Sequence, residues 1–379
     1  MIKGQRFVAI LATASIVIAA CSSGATQQPT GQESSAPSQA GDPTVAAAQA
    51  VVDVAMQART AADSQLPTTG PKAVAGKKLI SIVCAAAIEG CRAIADAQVE
   101  AAQAIGWEAS VIDGKGSPQG WNDAMQAAIA AKPDAIALAA ILPEAIEGSL
   151  QQAKEAGIKV LCTQCGGSGS AQELVDVSTG DEVNAIVGTD LGNYILAKSN
   201  GNANVLMWFY PEFGISKIRH DNAKDVLSKC SGCATETIEV KISEWGTTLL
   251  GRVQSLLQQK PDVNWIYSPA DETAIDAMNA IEAGGLKGKV QVVGGNGNLQ
   301  ALQTIATSDT YVATAAVSYA FGSWAGIDGL NRIFAGEAPI DTKSPVRLID
   351  KTNESQIESG KYYTGDVDFR AAYRAIWGK

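Results

Sequence analysis

From Lys77 onward, short apolar segments alternate with amphipathic segments of helical length, and this alternation constrains the fold more than any other feature. The segment KLISIVC (78–84) has the length and apolarity of a buried strand. The segment RAIADAQVEAAQAIG (92–106) has the periodicity of a helix that ends at a glycine. The alternation continues as far as IKVLCT (158–163). Short apolar strands that alternate with helices predict a parallel sheet covered by helices on both faces.

The same pattern begins again in the second half of the chain. It runs from NVLMWFY (204–210) to KVQVVGG (289–295), and there is an internal echo: KPDAIAL begins at Lys132 and KPDVNWI at Lys260. Each echo introduces a strand after a helix. We therefore predict two similar α/β lobes rather than one large sheet. The alternative stays open: the repeated segments could reflect only what any two α/β units have in common.

Three further segments lie outside the two repeats. A helix flanked by turn residues is predicted over 178–201, between the lobes. After the second lobe, residues 311–337 predict a strand and then a long helix, and SPVRLI (344–349) predicts one more strand. We expect these segments to carry the chain from one lobe to the other.

The start of the chain has the pattern of an export signal followed by a tether. The chain starts with basic residues, as export signals do, and the apolar run that follows ends at Ala20. This run is too short to span a membrane. Ile18-Ala19-Ala20-Cys21 resembles the bacterial lipobox, in which the cysteine becomes a lipid-bearing N-terminus. The alternative is an ordinary secretory signal with an incidental cysteine. We predict a signal peptide over 1–20, lipidation of Cys21 and a disordered tether over 21–43, followed by a helix and strap over 44–76. The body of the protein is thus expected outside the cytoplasm, anchored to the cell membrane by the lipid on Cys21.

The charged residues exclude several functional classes. The formal net charge is −10, and the lysines are scattered, so we expect no nucleic-acid binding, which needs a basic face. His220 is the one histidine of the chain. This removes most Ser-His-Asp, Cys-His and multi-histidine metal schemes. We therefore predict a protein that is not an enzyme, with no catalytic residue, no cofactor and no metal, and with His220 on a solvated helix face.

Six cysteines follow Cys21, and they lie in compact pairs. An even, closely paired set in an exported chain predicts disulfides. The alternatives are a four-sulfur zinc site and thiol redox chemistry. The predicted topology separates the two CxxC motifs, at the carboxyl end of one strand and before another strand of the other lobe, which disfavours zinc. We predict local pairing: Cys84 with Cys91, Cys162 with Cys165, and Cys230 with Cys233.

Several phrases, taken in order, resemble the type I periplasmic binding proteins, specifically the ribose-like sugar-binding branch that serves ABC importers. They are spread over roughly 77–350: VEAAQAIGWEASVIDG (99–114), AGIKVL (156–161), LLQQKPDVNWIYSPADETAIDAMNAIEAGG (256–285) and VQVVGGNG (290–297). The resemblance implies two doubly wound parallel-sheet lobes joined by three crossover segments, with a ligand cleft between them. By that pattern lobe one is 77–181 plus 317–342, and lobe two is 182–316 plus 343–379.

The candidate ligand-binding residues follow from the strand ends and from the resemblance. In doubly wound sheets, ligands gather at the carboxyl ends of strands. The resemblance gives Trp245 the place of a stacking aromatic, Asp271 the head of an acidic pair with Glu272, and Asn296 the place of a ligand-binding aspartate. The structural alternatives are a packing anchor for Trp245, a helix cap for Asp271 and a turn residue for Asn296. The full candidate set is Glu89, Gln164, Tyr210, Phe213, Trp245, Asp271, Asn296 and Tyr319.

The sequence also departs from the family pattern at ligand-reading positions. CAAAIEGC (84–91) stands where the pattern has an asparagine and paired phenylalanines. Ala270 replaces the asparagine before the acidic pair, Lys217 is the nearest match to an expected arginine, and Ala316 falls near an expected glutamine. The departures indicate a modified sugar, a polyol or a solute less polar than a pentose.

These observations together predict an extracytoplasmic receptor that delivers a small carbohydrate-like ligand to an ABC importer by lobe closure. Its expected partners are the solute, the importer permease and, through the lipid, the membrane, and the receptor itself is expected to be a monomer. Two alternatives remain: a receptor for a non-sugar solute on the same scaffold, and a membrane-tethered sensor without transport.

Overall fold

The structure, a computed structural model, describes residues 42–379. The predicted signal peptide, the lipidation site Cys21 and the tether up to residue 41 lie outside the described residues. Within 42–379, no helix has the length and apolarity needed to cross a membrane.

The first sheet is parallel throughout and forms lobe one. Its strand order is β2-β1-β3-β4-β5, with helices packed against it. The elements up to the end of this sheet are α1 Pro43–Ala55, β1 Lys78–Val83, α2 Glu89–Ile105, β2 Glu108–Asp113, α3 Pro118–Ala130, β3 Ala135–Ala139, α4 Glu147–Glu155, β4 Lys159–Thr163, α5 Gly169–Gln172 and β5 Val177–Thr179, with a 3₁₀ turn at Pro143–Ile146.

The second sheet forms lobe two and has the order β11-β10-β9-β8-β6-β7, in which only β11 is antiparallel to its neighbour. The remaining elements are α6 Asn184–Lys198, β6 Asn204–Phe209, α7 Gly214–Ser228, β7 Ala234–Glu239, α8 Leu249–Gln259, β8 Trp265–Tyr267, α9 Asp271–Ala283, β9 Gln291–Asn296, α10 Leu299–Ile305, β10 Tyr311–Val317, α11 Tyr319–Phe334, β11 Val346–Asp350 and α12 Phe369–Trp377, with 3₁₀ turns at Ile242–Glu244 and Glu354–Gln356. The predicted fold class is confirmed.

The strands form where the sequence predicts them because their side chains match their place in the sheet. β3 is buried at every position, as a central parallel strand requires. The edge strands β2 and β7 are largely exposed and carry polar residues. α2 ends at Gly106, whose φ of 94° is the left-handed conformation that glycine adopts at a helix end. Local sequence and tertiary position therefore agree along both sheets.

The chain passes between the lobes at three places after β1. The first is between β5 and α6, and the second is at Ser318, where β10 of lobe two leads into α11. α11 packs on α2, β4 and β5 of lobe one. The third passage, after α11, returns the chain to β11 beside β10. These passages place the cleft-facing edges of both sheets on either side of one hinge region.

The two ends of the described chain also join both lobes. α1 packs on α6 and β11 of lobe two, and the following strap runs to lobe one, where the backbone N–H of Val74 donates to Asn331 Oδ1 at 2.9 Å. Residues 343–379 were predicted to lie in lobe two, but the structure divides them. β11 completes the lobe-two sheet, whereas α12 packs on lobe one, where Trp377 stacks on Trp324 with ring centroids 5.4 Å apart.

The six cysteines of the described chain form three local disulfides. Cys84 is bonded to Cys91, Cys162 to Cys165 and Cys230 to Cys233. The first joins the end of β1 to the first turn of α2, and the second braces the loop after β4. Both therefore lie at the cleft-facing edge of lobe one.

Candidate functional site

The carboxyl ends of the two sheets face each other across a cavity of about 40 Å³, counted as the space open to the centre of a water molecule. This is where parallel sheets present loops and helix N-termini to a ligand. Adding the 1.4 Å radius of water on all sides gives ~200 Å³ of molecular space, which is room for roughly ten non-hydrogen atoms. The cavity therefore fits a small solute.

Most of the lobe-one wall of the cavity is apolar. It consists of Ile88, Gly90, Cys91, Ile94 and Ala140, from the turn after β1, the first turns of α2 and the end of β3, together with Tyr319 at the start of α11. Ile94 is buried, and the sulfur of Cys91 is bonded to Cys84. Tyr319 supplies the one side-chain hydroxyl of this wall, and its other side chains carry no hydrogen-bonding group.

Three aromatic residues of lobe two form a cluster at the cavity. The Trp245 ring lies 4.8 Å from that of Tyr210, in an edge-to-face contact, and 5.6 Å from that of Phe213. The Tyr210 hydroxyl is 2.9 Å from Ser268 Oγ and also contacts Thr273, so it is satisfied within lobe two. By contrast, Trp245 Nε1 is buried without a partner. The cluster thus offers aromatic surface and one unused donor.

Arg219, on α7, is the cation of the site, and it is only 1% exposed. Its guanidinium donates to Asn184 Oδ1 at 2.6 Å, Pro269 O at 2.7 Å and Asn296 Oδ1 at 2.7 Å, while Nη2 is buried without a partner. Among residues 42–379, none of the ion pairs within 4.0 Å includes Arg219. A buried charge held only by neutral acceptors is costly, so its free nitrogen is suited to a polar ligand.

The sequence prediction chose the wrong basic residue of this helix. Lys217 was the nearest match to the expected arginine, but it is exposed and pairs with Asp221. Two residues along an α-helix rotate the side chain by about 200°, so Lys217 and Arg219 face opposite sides. His220, predicted to be solvated, is 6% exposed; it lies against Phe209, and its Nε2 is 2.9 Å from Thr237 Oγ1. That prediction was wrong because α7 packs on both α6 and the sheet.

The two carboxylates of the acidic pair, Asp271 and Glu272, lie in different places, one in the core and one at the cavity. Asp271, predicted to contact ligand, is fully buried in lobe two and accepts from Tyr311 Oη at 2.6 Å and Thr314 Oγ1 at 2.7 Å. It does not line the cavity, so this prediction is corrected. Glu272 lines the cavity instead, because consecutive helical residues point about 100° apart. Glu272 Oε2 is buried without a partner, and burial raises the pKa of Glu272.

Two predicted amides lie close together but have different roles. Asn296, at the end of β9 with a φ of 128°, lines the cavity and accepts from Arg219. Gln164 does not line it: its Oε1 accepts from Asn184 Nδ2 at 3.0 Å and its Nε2 donates to Gly180 O at 2.7 Å. Gln164 therefore positions Asn184, which in turn holds Arg219. Asn184 was missed because a single asparagine at the start of a helix carries no functional signal of its own.

The lobes touch each other around the cavity. Glu89, a predicted contact, lies outside the cavity lining, and its Oε1 accepts from the Leu299 N–H of lobe two at 2.9 Å. The next residue, Gly90, donates its N–H to Glu272 Oε1 at 3.1 Å. The remaining predicted residue, Tyr319, lines the cavity at the start of α11. The structure is thus a closed arrangement in which two adjacent lobe-one residues bond to lobe two.

The structure therefore places five of the predicted residues on the cavity wall and three outside it. The lining residues are Tyr210, Phe213, Trp245, Asn296 and Tyr319; those outside are Glu89, Gln164 and Asp271. Within the described range, no group of His, Cys, Asp and Glu side chains is placed to hold a metal ion.

Comparison with known proteins gives a family and a fold. A sequence model described as periplasmic binding protein domain matches residues 82–337. No curated protein matches the chain.

Solved structures with the same fold cover most of the chain. It is similar to an ABC sugar transporter subunit from Rhodobacter sphaeroides (TM-score 0.65, 22% identity, 73% of this chain and 99% of that chain). It is also similar to an ABC transporter solute binding protein from Agrobacterium vitis with bound allitol (TM-score 0.66, 21% identity, 74% and 97%). A third is the Caulobacter myo-inositol binding protein bound to myo-inositol (TM-score 0.66, 20% identity, 74% and 96%).

Proposed function

The chain belongs to the periplasmic binding protein domain family, and from this membership we propose that it is an extracytoplasmic receptor for a small carbohydrate-like solute. The solute is enclosed between the lobes and delivered to the permease of an ABC importer by the closed, monomeric receptor. One observation carries the proposal. The cavity between the lobes contains three buried side-chain atoms without partners: Arg219 Nη2, Trp245 Nε1 and Glu272 Oε2.

The unpartnered atoms are suited to hydroxyl groups. Two of them are donors and one is an acceptor, and a hydroxyl both donates and accepts. Burial of such atoms without a partner is unfavourable, so a ligand that pairs with all three is favoured in the closed form. The relatives from Agrobacterium vitis and Caulobacter hold allitol and myo-inositol, which are small polyols. Their size agrees with the space available here.

Lobe closure explains how such a receptor signals its loaded state. A ligand that contacts both lobes stabilises the closed arrangement over an open one by its differential affinity. The bonds from Glu89 to Leu299 and from Gly90 to Glu272 form only when the lobes meet. A permease that contacts both lobes can therefore distinguish loaded from empty receptor.

A ligand screen with two readouts tests this proposal. The mature chain is scanned by thermal unfolding against sugars, polyols, amino acids and aromatic acids, and each hit is examined by small-angle X-ray scattering. We expect at least one sugar or polyol to raise the melting temperature by several degrees at about 100 times its Kd, with a smaller radius of gyration. A full panel without stabilisation or compaction contradicts the proposal.

The transport role and the anchor need tests in cells. We expect deletion of the gene to abolish uptake of the identified solute, whereas a sensor without transport leaves uptake intact. For the anchor, labelled fatty acid should be incorporated into the wild type and not into Cys21→Ala, which should appear in the soluble fraction. Equal membrane retention of both proteins contradicts lipidation of Cys21.

A further inference from the structure

The two walls of the cavity differ in chemistry, and this asymmetry restricts the ligand. All three unpartnered polar side-chain atoms belong to lobe two. Apart from the Tyr319 hydroxyl, the lobe-one wall offers aliphatic groups and a disulfide sulfur, and one of its main-chain donors, the Gly90 N–H, is already bonded to Glu272. A ligand hydroxyl pressed against the surface of Ile88, Cys91 and Ile94 loses its water without gaining a side-chain partner.

Ile88 contributes an aliphatic side chain to this wall at the start of α2. Ile88 is the N-cap residue of α2, and no side chain caps the helix there. Ser, Thr, Asp and Asn are strongly favoured at N-caps, and an aliphatic residue forgoes their hydrogen bond. An asparagine at this position could therefore supply the cap and would also add a polar group to the cavity wall.

Ile94 extends the same surface one and a half turns further along α2. It is 2% exposed and lies on the cavity wall together with Cys91, which comes three residues earlier on the same helix face. The apolar area is therefore continuous along the start of α2. A flat or branched hydrocarbon face packs on such a surface better than a ring of hydroxyls.

Building on the proposed function, we propose that the ligand is an amphipathic solute of about ten non-hydrogen atoms. One edge carries oxygen atoms that accept from Arg219 Nη2 and Trp245 Nε1 and donate to Glu272 Oε2. The opposite face is hydrocarbon and packs on Ile88, Cys91 and Ile94. Two classes of solute have this chemistry: partly deoxygenated cyclic polyols, and short hydroxy acids with a branched aliphatic chain.

Matched pairs of solutes test the proposal by calorimetric titration. The polyol arm compares cis-cyclohexane-1,2-diol with myo-inositol, and the acid arm compares 2-hydroxy-4-methylpentanoate with threonate. We expect the amphipathic member of one arm to bind at least about tenfold more tightly than its hydroxylated partner. The arm in which this happens identifies the class of solute. Equal or tighter binding of the hydroxylated members in both arms overturns this inference while sustaining the proposed function. Absence of binding by all four solutes overturns this inference, and the proposed function is overturned as well only if the full panel of the ligand screen also fails.

A pair of variants at one position gives an independent readout. Ile88→Asn adds an amide to the lobe-one wall and supplies the missing cap of α2, so the variant is expected to fold; Ile88→Val keeps the wall apolar. We expect Ile88→Asn to shift the ratio of the two Kd values about tenfold toward the hydroxylated member, and Ile88→Val to leave the ratio within about threefold of wild type. Because the ratio is taken within one variant, changes in stability cancel. An unchanged ratio in Ile88→Asn overturns the inference.

Discussion

A close approach of the two lobes at two glycines gives a direct test of closure. Gly214, at the start of α7, lies against Gly166 in the loop after β4. A Cβ at position 214 would lie 2.3 Å from the carbonyl oxygen of Gly166 and 2.8 Å from that of Cys165. Carbon and oxygen atoms do not approach so closely, and both obstacles are backbone atoms. Gly214→Ala therefore requires the lobes to separate by about 1 Å at this point.

The cost of that separation follows from the bonds between the lobes. The Gly90–Glu272 bond of 3.1 Å and the Leu299–Glu89 bond of 2.9 Å both involve carboxylates. Hydrogen bonds to charged groups contribute about 1.5–3 kcal/mol each, so losing both costs the closed form about 3 kcal/mol at the low end. A solute whose binding depends on closure should then bind roughly 100-fold more weakly to Gly214→Ala.

The assay is calorimetric titration of wild type, Gly214→Ala and a matched control with the best solute from the screen. The control is Gly251→Ala on α8, where an added Cβ meets no atom within 4 Å. Neither glycine has a positive φ, so alanine is compatible with both helices. We expect the control to bind as wild type does and both variants to keep their melting temperature. The closure argument fails if Gly214→Ala binds within threefold of wild type.

Three further predictions concern the tail, a buried acid and the cation. Trp377→Ala, which removes the ring stacked on Trp324, should lower stability by about 3–5 kcal/mol in urea unfolding; an unchanged midpoint would mean that α12 does not pack on lobe one in solution. Burial raises the pKa of Asp190 from 3.8 to about 7, so its contribution is present below pH 4 and lost as pH rises through 7. The free energy of unfolding of Asp190→Asn, measured in guanidinium, should therefore exceed that of wild type increasingly from pH 4.5 to 8, by at most about 4 kcal/mol, and a constant difference contradicts this. Arg219→Lys, which cannot span three acceptors in separate segments, should weaken solute binding at least tenfold in calorimetric titration, and unchanged affinity would refute its role.

The sequence was sufficient to predict features set by local pattern and by chain order. The alternation of strands and helices was enough to predict both sheets, because the central strands are apolar at nearly every position, as in β3 and β6. The rule that strands end at the cleft placed Tyr210, Phe213 and Asn296 on the cavity wall, since each follows or ends a lobe-two strand.

Features that depend on helical phase could not be predicted to the residue. An error of one position on a helix turns a side chain by about 100°, which is the difference between Asp271 in the core and Glu272 in the cavity. The choice between Lys217 and Arg219 failed for the same reason. The tail poses a different difficulty: its aromatic residues indicate packing, but the surface they cover is set by long-range contacts such as that of Trp377 with Trp324.

The asymmetry of the cavity indicates that the two lobes contribute differently to binding. Lobe two holds most of the hydrogen-bonding groups, and the three bonds that fix Arg219, to Asn184, Pro269 and Asn296, lie within it, while Gln164 of lobe one supports Asn184. An open receptor therefore presents a preorganised polar surface, and binding to it loses little further side-chain entropy. Lobe one contributes apolar area and the two bonds at Glu89 and Gly90, which act only on closure. For the proposed ligand, we therefore expect recognition of the polar edge to precede burial of the apolar face. Substitutions on lobe two should change the affinity of both open and closed forms, whereas substitutions on the lobe-one wall should change mainly the rate of release.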